Sequence, residues 1–147
     1  MVAIKTNWTA AQTTTLLEVI TDYIREKGVV PQSGFKAQHW TEFQKQFQSR
    51  ASVAYSKDVL QNKYSDLKKK FAQLSAVLDE SVFGVTFEMN DETGVLVDVD
   101  AQVWAEYTKS HPDRAWCRTK KLDNFELLKG ICTGTVSNNY FSPSIFS

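Results

Sequence analysis

Eight Lys, Gln, Asn and Ser side chains fall within fourteen residues: Lys57, Gln61, Asn62, Lys63, Ser65, Lys68, Lys69 and Lys70. Lysine ammonium groups neutralise phosphates, while the carboxamides of Asn and Gln can hydrogen-bond in pairs to base edges. A serine hydroxyl can serve either purpose. Together these groups could hold the backbone of a nucleic acid and read its bases. The same set is also what the solvated face of an ordinary amphipathic helix carries. A second group, Arg118, Lys120 and Lys121, could contact phosphate in the same way or be plain surface. The Lys68-Lys69-Lys70 run has, in addition, the composition of a nuclear-localisation patch.

Other chemistries have less support. Cys117 and Cys132 stand fifteen residues apart, and His39 and His111 have no ligand spacing relative to them, so neither a metal nor another cofactor is expected. Gly130-Ile-Cys-Thr-Gly134 lacks the lysine and preceding strand of a phosphate loop. No Ser/His/Asp or Cys/His set has motif support, and Asp91-Glu92 falls in an expected turn. Enzyme activity is therefore not expected. Two cysteines without a CxxC suit a reducing compartment. The segment MVAIKTNWTAAQ lacks the apolar run of a signal peptide, so the Asn7-Trp8-Thr9 sequon reads as coincidence. No stretch approaches transmembrane length, and no membrane partner is expected.

The elements that must carry these side chains are legible. Leu60, Tyr64, Leu67, Phe71, Leu74 and Leu78 recur at alternating steps of four and three, which keeps one stripe of a long helix apolar. Ser56 is its expected N-cap. A first helix begins near Thr9, where Thr9 and Gln12 have the spacing of a capping box, and turns Leu16, Leu17, Ile20, Tyr23 and Ile24 inward. Gly28 should close it, and the stretch VVPQSGF should be a loop. A second helix starts near Lys36 and places Trp40, Phe43 and Phe47 on one side, with a turn from Ser49 to Tyr55. After Glu80, VTFEM and VLVDV flank Asn90–Gly94 as a small hairpin or extended loop. A fourth helix is expected from Asp100 to His111-Pro112, with Val103, Trp104 and Tyr107 inward. A last short helix opens at Asp123–Glu126 and carries Phe125, Leu127, Leu128 and Ile131. The tryptophans read as core residues rather than as platforms for stacked bases.

A chain of 147 residues with 17 basic and 17 acidic side chains is long enough for a single self-supporting domain and has no net charge. Neutrality argues against a uniformly basic nucleic-acid binder. The charges are segregated, however. Between Phe43 and Lys70 seven basic residues face two acids, and between Lys109 and Lys121 five face one. Between Ser81 and Asp100 there are five acids and no base. A basic face can bind phosphate whatever the total charge.

In order and spacing the chain resembles the Myb/SANT-like DNA-binding domain family of plants and fungi, often found in transposon-derived genes. The resemblance rests on Trp8-Thr9, Gly34-Phe35-Lys36, Trp40, the run from Leu60 through Lys63-Tyr64 and Leu67 to Lys69, and Phe83-Gly84. It continues through Asp91-Glu92-Thr93-Gly94, Trp104-x-x-Tyr107, His111-Pro112 and Phe125-x-x-Leu128, so that it runs from Asn7 to about Gly130. It implies that Trp8, Trp40 and Tyr64 clamp a three-helix core, that the third helix is a recognition helix, and that the protein binds specific DNA in a nucleus. The chain departs from the family in having Ala10, Ala11 and Gln12 where acids are common, a tyrosine as third aromatic, and a wide Trp8–Trp40 spacing.

The expectation is thus a mostly α fold: a Myb-like helix-turn-helix unit with a long third helix, a short hairpin or loop, and one or two C-terminal helices packed back on it. The domain spans 7–131, with a flexible tail over 132–147. Its function is sequence-specific binding of double-stranded DNA, as a transcription regulator or transposon-derived protein. Lys57, Lys63, Lys68, Lys69 and Lys70 would hold phosphates; Gln61, Asn62 and Ser65 would read bases; Arg118, Lys120 and Lys121 would add a second patch. The alternative is a SANT-type protein-interaction module. Its acidic block or aromatic tail would then bind a transposase, a chromatin protein or another copy of the chain.

Overall fold

The computed structural model describes residues 7–28, 34–82 and 84–136. Among these the fold is mostly helical: α1 (Ala10–Lys27), α2 (Ala37–Ala51), α3 (Lys57–Asp79), α4 (Ala101–Ser110), a 3-10 helix η1 (Pro112–Arg118) and α5 (Phe125–Thr133). Four two-residue strands lie between α3 and α4: β1 (Ser81–Val82), β2 (Val85–Thr86), β3 (Glu88–Met89) and β4 (Leu96–Val97). The chain forms two compact units. The first contains α1, α2, the start of α3 through Asp66 and the chain from Glu126; the second spans Leu67–Phe125. Most of the loop expected at VVPQSGF, and the tail beyond Val136, lie outside the described residues.

Local chemistry sets the boundaries of the first unit. The Thr9 backbone N–H donates to Gln12 Oε1 and the Gln12 N–H to Thr9 Oγ1, each at 3.0 Å, so the capping box forms as expected. Gly28 ends α1 at φ 69°, a left-handed conformation that glycine adopts without strain. At α2 the Lys36 backbone N–H donates to His39 Nδ1 at 2.8 Å, which gives His39 a capping role. Helix α2 runs to Ala51, three residues into the expected turn, because Ser52 takes the left-handed cap at φ 58° and donates its N–H to Gln48 O. Ser56 Oγ accepts the Val59 N–H at 3.2 Å and starts α3 as expected.

Leu16, Leu17, Ile20, Phe43, Phe47, Leu60, Leu128 and Ile131 are fully buried in this unit. The expected inward residue Tyr23 is only half-buried, while Val19 and Thr21 are buried. The implied aromatic trio does not form one clamp. Trp40 and Tyr64 pair at 5.6 Å, but their further ring partner is Phe35, at 6.1 and 5.8 Å. Trp8 joins a separate cluster with Tyr55 at 5.0 Å and Phe47 at 5.5 Å. Burial, with Cys132 beside it, pushes the Tyr64 phenol well up, so it stays neutral. Arg50 ties α2 to α1 through Asp22 at 2.8 Å.

The second unit contains more structure than the sequence suggested. The expected hairpin is β3–β4, antiparallel with Glu88 opposite Val97 and Met89 opposite Leu96. Asn90 builds its turn by accepting the Glu92 and Thr93 N–H groups at 2.8 and 2.9 Å. A second pair, β1–β2, precedes it. Asp100 caps α4 by accepting the Gln102 and Val103 N–H groups, and His111 closes it, both as expected. Trp104 and Tyr107 are buried and meet Phe87 at 5.1 and 5.4 Å.

Helix η1 was not expected. It follows because Pro112 cannot extend α4 but readily opens a new turn. Trp116 Nε1 donates to Gln73 Oε1 at 2.8 Å, fastening η1 against α3. The buried stripe of α3 also shifts near its end. Val77, one turn beyond Gln73, is fully buried, while the expected Leu78 is only half-buried. Arg114 donates to Tyr107 Oη at 2.8 Å and to Glu80 Oε1 at 3.0 Å. Burial alone would raise the Glu80 carboxyl, but the hydrogen bonds from Arg114 and Tyr107 outweigh it and hold the carboxyl below its ordinary value.

Cys117, on η1, is 1% exposed, and burial pushes its thiol up to about 12. Only a thiolate attacks readily. A thiol reagent such as DTNB should therefore modify no more than one cysteine, the half-buried Cys132, in the native protein at neutral pH. The second thiol should react on unfolding. Rapid modification of both in the folded state would show that η1 does not pack as described.

Candidate nucleic-acid interface

Helix α3 carries the site residues, and its geometry sorts them. The apolar stripe of Leu60, Tyr64, Leu67, Phe71 and Leu74 is buried. At about 100° per residue, Asn62, Ser65 and Lys69 fall opposite it, and all three are exposed. Asp58 lies on the same outer line, one turn before Asn62. Its carboxylate suits the positive end of the helix dipole.

In the first unit, Lys57 is exposed and its ammonium donates to Thr41 Oγ1 of α2 at 3.3 Å. Gln61 is half-buried on the shoulder of the apolar stripe. Lys63 is half-buried on the other shoulder, with its ammonium 5.6 Å from the centre of the Trp8 ring. A cation over a tryptophan face is held electrostatically while its outer side stays open to solvent. Trp8 is itself fixed by Tyr55, whose hydroxyl donates to Gln12 Oε1 at 3.1 Å. This support for Lys63 was not legible in the sequence, because Trp8 and Lys63 lie fifty-five residues apart with no motif joining them.

In the second unit, Lys68, Lys69 and Lys70 are exposed on successive faces of α3. Arg118 ends η1, and Lys120 and Lys121 follow it; all three are exposed. The second basic block is not uniformly available. Arg114 is occupied with Glu80 and Tyr107, and Lys109 pairs with Glu106 at 2.9 Å. Lys121 lies 3.8 Å from Asp123, and its stem packs so closely on Gly94 that a side chain there would strike it at 2.6 Å. Arg118 and Lys120 form no ion pair among the described residues. The chemistry on offer is therefore cationic and amide hydrogen bonding. Among the described residues no three His, Cys, Asp or Glu side chains converge as a metal site, and no helix is long and apolar enough to cross a membrane.

No curated protein and no solved structure matches the chain. A family model does match, over residues 7–107, most of the chain. Its span takes in α1 to α3, both hairpins and most of α4; η1, Arg118, Lys120, Lys121 and α5 lie beyond it. The family is one of DNA binders and not of enzymes, which supports DNA binding in general. A mostly helical domain with an exposed basic and amide-bearing face on its longest helix agrees with that family: the chain belongs to the Myb/SANT-like DNA-binding domain family.

Proposed function

We propose that the chain is a sequence-specific binder of double-stranded DNA. It acts in the nucleus, as a transcription regulator or a transposon-derived DNA-binding protein, through a domain over 7–131. The observation that carries this reading is the exposed polar face of α3. Asn62 and Ser65 project from it, with lysines on its flanks. A helix with this arrangement can lie in the major groove, where every base pair presents a distinct pattern of donors and acceptors. Asn62 and Ser65, with Gln61 from the shoulder, then face base edges. Lys57, Lys63, Lys68, Lys69 and Lys70 hold phosphates. Lys63 arrives oriented by Trp8, so less side-chain freedom is lost on binding.

Selection of bound sequences from a random duplex pool, at about physiological salt, tests specificity directly. A convergent motif is expected. Bound sequences no different from the starting pool would reduce the function to non-specific binding. A second measurement tests the phosphate contacts. The K68A/K69A double variant should weaken binding to all duplexes alike and flatten the slope of log affinity against log salt by up to about two. Both lysines lie off the buried stripe, so the fold should be retained. An unchanged slope would remove them from the interface.

A protein-interaction function is the second reading, favoured by the block from Ser81 to Asp100, which has five acids and no base and would take a transposase, a chromatin protein or another copy of the chain. Failure of the wild-type chain to bind any duplex, even at low salt, would favour this second reading.

A further inference from the structure

Three tethers fix the course of the chain after α4 within the second unit. Arg114 reaches Glu80, just past the end of α3, at 3.0 Å. Trp116 reaches Gln73, two turns earlier, at 2.8 Å. Phe125 reaches Phe71, earlier again, at 5.5 Å between ring centres. Asp113 and Trp116 both meet Gln73, so η1 is held on α3 at that residue. Arg118 and Lys120 lie between the second and third tethers. They follow Trp116 by two and four residues, which keeps their backbone near Gln73, just C-terminal to Lys69 and Lys70 on α3. Those two lysines precede Gln73 by four and three residues, one turn back on the side against which Trp116 docks.

Charge distribution strengthens the grouping. Asp113, the one acid among residues 109–121, is drawn to the Gln73 amide at 3.5 Å, near the far end of η1. Arg118 and Lys120 are left exposed without a carboxylate partner among the described residues. The backbone there is fastened, since the Thr119 and Lys120 N–H groups both donate to Trp116 O, at 3.1 and 2.9 Å. A guanidinium and ammonium groups held on a tethered segment can follow a phosphodiester backbone with little loss of freedom.

We propose that Arg118 and Lys120, with Lys69 and Lys70 of α3, form an accessory phosphate-contact surface that extends DNA binding beyond the family-matching region. It contacts the backbone of the duplex and reads no base. The surface rests on the reading of α3 as a DNA-contacting helix and adds to it a second, sequence-independent contact.

The R118A/K120A variant and the charge-retaining R118K/K120R variant of the whole chain distinguish the outcomes. Each is titrated with duplexes of selected and of random sequence, from about 50 to about 200 mM salt. Two lost phosphate contacts flatten the salt slope by about 1.8, so that R118A/K120A loses about tenfold less affinity across that range than the wild type. The ratio of affinities for selected and random duplexes should stay unchanged. R118K/K120R should keep the wild-type slope, which a mere packing role for these side chains would not require. If wild-type chain binds DNA and R118A/K120A keeps the wild-type slope, the accessory surface is overturned while the reading of α3 stands. A changed ratio would also overturn it, because these residues would then read sequence. If the wild-type chain binds neither duplex at the lowest salt, both inferences fall.

Discussion

Trp40→Ala should lower stability by about 3–5 kcal/mol, the range for deleting a buried aromatic side chain. Trp40 is 6% exposed and sits at the centre of the first unit. Its ring meets Phe43 at 5.2 Å and Tyr64 at 5.6 Å, both near the range of favourable aromatic pairing. Phe35 approaches edge-on at 6.1 Å. Alanine would leave a cavity walled by three rings, and rings cannot collapse into it without moving their own helices. Thermal melting followed by circular dichroism should show a fall of roughly 10 °C or more. A barely shifted transition would mean that Trp40 does not anchor α2 to α3, and the grouping of Phe35, Trp40, Phe43 and Tyr64 as one core would fail. Trp8→Ala should be milder, since Trp8 is half-exposed and belongs to the other cluster.

Asn62→Ala should separate reading from positioning. The carboxamide projects from the outer face of α3, opposite the buried stripe, and can make a paired hydrogen bond to adenine. Its loss should cost about 1–3 kcal/mol on the selected sequence and relax the preference at one or two positions. Affinity for random duplex should hardly move, because no charge is removed. The melting temperature should hardly move either, because an exposed asparagine on a helix surface contributes little to packing. Equal weakening on every duplex would reassign Asn62 to the backbone, and no weakening at all would take it out of the interface.

Much of this molecule was written in local pattern. The capping box of Thr9 and Gln12, the Gly28 and Ser56 caps, the Asn90–Gly94 turn and the Asp100 cap each depend on side chains a few residues apart. Chain neighbours meet whatever the rest of the fold does, so spacing alone identifies such contacts. The helical period likewise placed Leu60, Tyr64, Leu67, Phe71 and Leu74 inside and left the lysines and amides of α3 outside. The family resemblance depended on the same local order.

What remained hidden needed two distant segments to meet. Phe35 rather than Trp8 completes the Trp40–Tyr64 group, and no periodicity distinguishes those two rings. Val77 is buried in place of Leu78, and η1 docks on Gln73 through a contact between residues 73 and 116. In composition Arg114, Arg118 and Lys120 are members of one basic block. Folding spends Arg114 on Glu80 and Tyr107 and leaves Arg118 and Lys120 facing solvent. The sequence by itself therefore determined the five α-helices, most of their caps and the polar face of α3. Only the tertiary structure decided which aromatics share a core and which cations stay free. Helix propensity and capping act within one turn of chain, whereas burial and ion pairing depend on which surfaces the completed fold brings together.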